Sequence, residues 1–438
     1  MRPLQKLTFD AFRDMLATTF AAIADQRDPR RITWELPAVL MSAFALLFSQ
    51  HPSLLEYQRR MQQRTGRSNL ERVFAVEEIP SDTQMREILD GVPPEPLRRV
   101  LPQTFEQMRG VGWTARFVTE VGGEKYYPTV LEGSEYFHST QIHCPSCLHQ
   151  RQAHGETHYS HVVVAATVTR AGSHAILPLD AEEVHKTEGQ QKQDCELTAA
   201  KGLVTRLRAE HRQLSLCIVG DDLYAHEPFI EELRARRLGF VRVAKPTSHR
   251  ALFKQLEDRE QRGECGGRGT WAEGAGRHRR SFEYRSAADV PLTQAGTVRV
   301  NFVEVWERRP DGTVGYHNSW VPDFVVTPET VASIVGIGRS RWKIENEQFN
   351  VHKNHGYEVA HNYGHGQQTL SLVFYLLNLL AFVAHKLLEF GDRLYQQCRA
   401  GESRRGLWTL FRSAFYLLEF DNWEALLHYH LRETATGP

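Results

Sequence analysis

At 438 residues the chain is longer than one hydrophobic core usually serves, so two or three structural units are expected. Its 41% hydrophobic and 24% charged residues exclude a disordered or fibrous chain. Lysine plus arginine and aspartate plus glutamate each total 53, which excludes a polycationic coat, so any nucleic acid must be met by local patches.

From Phe9 to about Met108 apolar residues recur at three-and-four spacing and predict helices, with Pro80-Ser81-Asp82 opening one before TQMREILD. In this front region EYQRRMQQRTGRSN gathers Arg59, Arg60, Arg64 and Arg67 into a basic face that suits phosphates as well as plain solvent. The texture changes near Tyr126. TVLEGSEYF, SHVVVAATVTRAG and HAILPLD read as three consecutive strands forming a meander. Cys195 to His211 has helical spacing, Leu214 to Gly220 is a continuous apolar strand, Glu227 to Arg237 is helical and Phe240 to Ala244 is again a strand. The order β-β-β-α-β-α-β describes a mixed sheet with helices on its faces, an α/β core.

Between Lys245 and about Asp323 the Gly- and Arg-rich RGECGGRGTWAEGAGRHRR is followed by alternating strands, VRVNFVEVWERR and GYHNSWVPDFVV. Pro328 to about Val359 then reads as helix, HNYGHG as a turn, and the rest as helix. The expected organisation is a helical region 1–115 that could bind DNA, a core from 116–245 and 324–366, a β-rich insertion 246–323 and a helical region 367–438.

The stretch Leu370 to Leu388 is about long enough to span a bilayer. Asn378 and His385 interrupt it, so a buried core helix and no membrane contact are expected. MRPLQKLTFDAF shows no secretory signal, and six cysteines (Cys144, Cys147, Cys195, Cys217, Cys265, Cys398) are too sparse for a disulfide framework. A cytoplasmic location follows as the expectation.

Phosphodiester cleavage by two metal ions needs carboxylates converging from separate elements, because Mg²⁺ takes oxygen ligands and two ions must flank one phosphorus. Three acids stand where such a core would place them: Glu132 on the first strand, Asp221 just past the fourth, and Glu345 on the late helix. Asp221 and Asp222 both follow the fourth strand, where an aspartate can also simply start the turn into the next helix; Asp221 is favoured as the nearer to the strand. A helical step of about 100° gathers Arg341, Trp342, Phe349 and His352 around Glu345 and turns Glu347 towards solvent.

From about Ile79 to His385 the sequence resembles the DDE-type insertion-sequence transposases whose ribonuclease-H-like core carries a β-rich insertion. The resemblance rests on IPSDTQMREILD, LEGSEYFHSTQIHCPSC, IVGDDLYAHEPF, RSRWKIENEQFNVHKNHGYE and HNYGHG. It implies that Glu132, Asp221 and Glu345 take the places of the family's two aspartates and glutamate as catalytic, Mg²⁺- or Mn²⁺-binding residues. Of the family's Tyr-Arg-Glu-Lys signature, Arg341 and Glu345 match, while Gly338 stands for the tyrosine and His352, beside Lys353, for the lysine. The implied partners are DNA, both transposon terminal inverted repeats and target, and a second copy of the chain in a homodimer. Glu132 is longer than the family's aspartate by one methylene, a displacement of about 1.5 Å. That sets up a second reading: a transposase-derived DNA-binding protein with impaired or absent catalysis.

Further candidates for DNA contact are Arg341, His352 and Lys353 on the late helix, Lys245 with His249 at the exit of the last core strand, and Trp306 and Trp320 in the insertion. There Trp271, Trp306 and Trp320 alternate with Arg268, Arg277, Arg279, Arg280, Arg308 and Arg309, a mixture suited to stacking bases and holding phosphates. HCPSC places Cys144 and Cys147 at zinc-knuckle spacing. Cys195 and His161 are carried forward as the other two zinc ligands, with His143, His149, His154 and His158 as alternatives.

Overall fold

The computed structural model describes residues 7–152, 155–186, 192–264, 266–275, 279–361 and 363–435. His154, Cys265 and Arg277 therefore lie outside the described residues. Two compact units result: unit 1 is Met1–Thr114, Ser134–Val163 and Gln348–Pro438, and unit 2 is Ala115–Gly133 and Val164–Glu347.

Six helices come first: α1 (Phe9–Ala21), α2 (Leu36–Phe48), α3 (Leu54–Met61), α4 (Arg64–Phe74), α5 (Asp82–Leu89) and α6 (Glu95–Gly110). Strands β1 (Thr119–Val121), β2 (Glu124–Ser139), β3 (Leu148–Arg151), β4 (Thr157–Val168) and β5 (Leu177–Glu183) follow. Next come α7 (Lys192–Glu210), β6 (Leu216–Gly220), α8 (Glu227–Ala235), β7 (Gly239–Val243) and α9 (Arg250–Gln261). Four strands, β8 (Arg268–Glu273), β9 (Arg280–Pro291), β10 (Arg299–Arg308) and β11 (Val314–Pro322), lead to α10 (Val331–Arg339). A π-helical turn, Ile344–Phe349, runs into α11 (Asn350–Asn354), and α12 (Leu370–Gly391), α13 (Arg393–Ala400), α14 (Arg404–Leu417) and α15 (Trp423–Ala435) end the chain.

Among the described residues the strands form one mixed sheet of eleven, in the order β3-β4-β2-β6-β7-β11-β10-β9-β8, with β5 on β4 and β1 on β2. Strand β6 is parallel to both neighbours, β2 and β7. Its sequence, LCIVG, is buried throughout, as a central parallel strand covered on both faces requires. The insertion was expected as a separate region, but β11 pairs with β7, setting Trp320 opposite Val243, so its four strands extend the core sheet within unit 2. Helix α9 was not foreseen there. Its buried stripe of Leu252, Phe253 and Leu256 accounts for it.

Unit 1 is built around two apolar helices. Helix α2 is buried at every residue from Val39 to Phe48, and α12 is the one described helix long and apolar enough to cross a membrane, with 94% of that window buried inside the protein. Phe48 packs against the His385 and Trp408 rings at 4.6 and 5.0 Å, and His385 Nε2 lies 3.0 Å from the Phe48 carbonyl. The start of α12 is capped from a distance: Asp90 accepts from the backbone N–H groups of Gln367, Gln368, Thr369 and Leu370 at 2.7–3.1 Å. Gly366, at φ +68°, permits this, because a Cβ there would meet Asp90 Oδ1 at 2.3 Å. The sequence-predicted cap at Ser81 is present as a full capping box with Gln84.

Candidate functional site

The carboxylates of unit 2 are brought together by strand register. Parallel pairing of β2 with β6 runs from Tyr127 opposite Leu216 to Val130 opposite Val219, so two further steps bring Glu132 level with Asp221. Asp221 follows the C-terminal end of β6, and Glu132 lies within β2 just past its parallel pairing with that strand, at the edge where open sheets hold ligands. Glu345 joins them through Arg341, whose Nη1 donates to Glu132 Oε2 at 2.5 Å and to Glu345 Oε1 at 2.6 Å. One guanidinium nitrogen thus lies between two carboxylates, in the position a bridging cation would take.

The electrostatics agree with a crowded acidic edge. The Glu132 carboxyl is pushed up to about 7: burial is the main cause, and the charges of Asp221 and Glu345 add to it against the pull of Arg341. Asp221 is also raised, by burial and then by Asp222, with Arg341 opposing. Asp222 behaves differently. Burial would raise it, but Lys245 Nζ donates to its Oδ1 at 2.7 Å and holds it below its ordinary value. Asp221, not Asp222, is therefore the member that faces Glu132, and Lys245, with its side chain 55% exposed, stands beside the site as an ion-paired cation.

Three neighbours escaped the sequence reading: Glu196, Tyr224 and Arg242. Glu196 on α7 accepts from the Tyr224 hydroxyl at 2.6 Å and packs against Gly133, next to Glu132. Tyr224 itself lies in the field of Glu132 and Asp221. Arg242 pairs with Gly220 across β6 and β7 and is wholly buried, with no hydrogen-bond partner for any guanidinium nitrogen among the described residues. Its charge lies over the Phe229 ring at 5.0 Å, and burial lowers its pKa to about 10. Only its place on a central strand, directly after the apolar run GFV, could have signalled burial.

The late helix departs from the expected wheel. Residues Ile344–Phe349 form a π-turn, a wider ring of i→i+5 bonds that changes the angular step and often marks functional segments. Glu347 is not solvent-facing as expected: it pairs with His174 Nδ1 at 2.6 Å and its side chain is 21% exposed, against 47% for Glu345. His352, expected to contact DNA, is instead buried in unit 1 against Tyr357 and Phe382, where burial drives its pKa down to about 3. A neutral, enclosed imidazole offers a phosphate nothing. Lys353 beside it is half-buried.

Trp320 is likewise corrected. It is fully buried, and a Cβ on Gly338 would lie 2.5 Å from its Nε1, so the indole fills the space a side chain at 338 would need. His249, expected with Lys245 to contact DNA at the exit of the last core strand, is buried too, with Nε2 3.2 Å from the Ala225 carbonyl and its ring stacked on His226. Trp306 is half-buried and stacks on His317 at 5.1 Å, beside an open groove also lined by Arg268, Thr270, Tyr284 and Arg285. Around it Arg280, Arg285 and Arg308 are ion-paired with Glu273, Glu304 and Glu283. In the front helices Arg67 pairs with Glu78 and Arg60 covers Tyr416, while Arg64 is 93% exposed.

Unit 1 holds a second cluster. Cys144, Cys147, His161 and His365 are all buried, and one ligand atom from each lies within 4.8 Å of the others. Three of the four were expected; the fourth is His365 of the HNYGHG turn, whereas Cys195 is absent from the group. Burial opposes ionisation of Cys144, but hydrogen bonds from His161 and His365 outweigh it and bring the thiol down to about 5.

No family profile matches the chain, and no curated protein matches it.

Proposed function

We propose that the chain is a DNA transposase of the DDE type, cutting and rejoining transposon ends at the carboxylate edge of unit 2. The observation that carries this reading is the convergence of Glu132 on β2, Asp221 at the end of β6 and Glu345 on the late helix, with Arg341 bridging the two glutamates. The order β5-β4-β2-β6-β7, with β2, β6 and β7 parallel, supports a ribonuclease-H-like core.

The donors are all carboxylate oxygens, and burial with mutual repulsion raises two of the three, so the edge suits a hard divalent cation such as Mg²⁺ or Mn²⁺. Bound there, such ions would polarise the scissile phosphate and stabilise the attacking and leaving oxygens. Glu132, Asp221 and Glu345 would hold them. Arg341, displaced from the two glutamates, would then be free to meet a DNA phosphate, with Lys245 on the flank. Trp306, stacked on His317 beside its arginine-lined groove, would be the insertion tryptophan that meets a base. Pairing of two transposon ends by two copies of the chain belongs to the same proposal.

A specific observation favours the catalytically silent alternative: Arg341 already bridges Glu132 and Glu345, through a glutamate where the family has aspartate. Incubation of the purified chain with supercoiled plasmid carrying its flanking terminal repeats separates the two. The transposase reading expects nicking that needs Mg²⁺ or Mn²⁺. Salt-sensitive DNA binding without nicking in either metal would leave the silent reading in its place.

A further inference from the structure

Cys144 and Cys147 flank the turn between β2 and β3, His161 lies on β4, and His365 sits in the turn before α12. The measured edges of the cluster are 3.9 Å between the two sulfurs, 3.4 Å from Cys144 Sγ to His161 Nε2, and 3.5 and 3.3 Å from Cys147 Sγ to the Nε2 atoms of His161 and His365. A zinc ion with bonds of about 2.3 Å to sulfur and 2.0–2.1 Å to nitrogen needs tetrahedral edges of about 3.8 Å between sulfurs and about 3.6 Å from sulfur to nitrogen. The four donor atoms already stand close to those positions.

The surroundings suit a closed metal centre. Exposure is 7% for Cys144, 5% for Cys147, 3% for His161 and 9% for His365. The Tyr136 ring stacks on His161 at 5.7 Å and Phe137 covers His365 at 4.3 Å, so water is kept away. The Cys144 backbone N–H points at Cys147 Sγ from 3.4 Å, a contact that favours a thiolate there. Asp90, by capping α12, fixes the turn that presents His365.

We propose that these four residues form a structural zinc site of Cys₂His₂ type. In the bound form both cysteines are thiolates, any proton still on the cluster passing to solvent, and the two thiolates with two neutral imidazoles balance the charge of Zn²⁺ without any redox change. Thiolate donors select zinc over Mg²⁺, and four protein ligands leave no position for a substrate. Within unit 1 the metal ties segment Ser134–Val163 to segment Gln348–Pro438, joining residues far apart in the chain. It lies in unit 1, shares no residue with the carboxylate edge of unit 2 and does not depend on the transposase reading.

The test is elemental analysis of the full chain together with cobalt substitution. About one zinc per chain is expected after exhaustive dialysis. Co²⁺ in its place should give a thiolate-to-metal charge-transfer band and the intense visible absorption of a tetrahedral ion. Cys147→Ser and His365→Ala should each lower zinc retention at least tenfold, and Cys195→Ser should leave it unchanged. The charge-transfer band requires sulfur, so it excludes the surface group Glu135, His138 and His158 and the carboxylate edge as the source. A metal-free chain, a Cys144–Cys147 disulfide in freshly purified protein, or cobalt spectra without a thiolate band would each overturn the proposal. Because the cobalt spectrum is read on the unaltered chain, misfolding of a variant cannot mask the answer. Zinc without nicking would fault the transposase reading alone, and nicking without zinc this one.

Discussion

The cysteine–histidine cluster of unit 1 and the carboxylate edge of unit 2 both gather side chains from distant parts of the chain, but they solve the problem of charge in opposite ways. Thiols and imidazoles attract one another, His161 and His365 drawing the Cys144 thiol down to about 5, so their donor atoms lie at metal-ligand spacing while hydrogen-bonding among themselves. Three carboxylates do not. Here two of them share the Arg341 guanidinium, and burial pushes Glu132 up to about 7. A closed, soft-donor site needs nothing from solvent, whereas an acidic edge with Glu345 nearly half exposed stays open to exchange its cation.

The largest effect that would sharpen this contrast is at the open edge. Asp221→Asn should lower metal-dependent nicking by about a thousandfold or more, since a metal contributes several kcal/mol to the transition state, while salt-sensitive DNA binding persists. Nicking by Asp221→Asn at the parent rate would break the comparison.

Acid should strike unit 1 first. His51, His352 and His385 are fully buried and held near 3 by burial, against 6.5 in the unfolded chain. Their folded forms are neutral, so the stability they confer is complete above 6.5 and is lost as pH falls towards 3. Three such residues should cost about 3 kcal/mol over the first pH unit below 6.5. Urea midpoints followed by tryptophan fluorescence at pH 7.5 and 5.5 would show it; equal midpoints would count against the buried neutral state.

A smaller change is expected from shortening one carboxylate. Glu132→Asp should raise the nicking rate by up to about a hundredfold if the extra methylene misplaces the donor. A variant no faster than the parent would show that glutamate serves this edge well. Smallest is Gly338→Ala, whose methyl would press on the Trp320 indole and should destabilise the chain by about 1–3 kcal/mol in thermal or urea unfolding, without changing zinc content.

What was legible in the sequence followed the period of its elements. LCIVG and TVLEGSEYF are strand-forming runs, and the parallel register of the two strands they define brings Glu132 level with Asp221. The capping box at Ser81 was equally local. Legibility failed where a residue's fate depended on something non-local. A helical wheel assumes one angular step, so the π-turn at Ile344–Phe349 misdirected Glu347. Trp320 looks like a surface aromatic until β11 is paired with β7, and His365 reaches the two cysteines only through a turn held by Asp90. Its two neighbouring glycines and the histidine pair of HNYGHG were the available signal. The insertion's β8 and β9 were hidden by Gly- and Arg-rich composition, which weakens any strand pattern.

The partnership of α2 with α12 has a consequence for how the protein is made. Phe48 and His385 touch, yet all of unit 2 is translated between them. At roughly 5–20 residues per second a ribosome takes on the order of half a minute to cover that stretch. Through that interval α2, apolar on every side, waits without its permanent neighbour. Nascent chains stalled before α12 should therefore be bound by holdase chaperones, and release should coincide with emergence of residues 370–391.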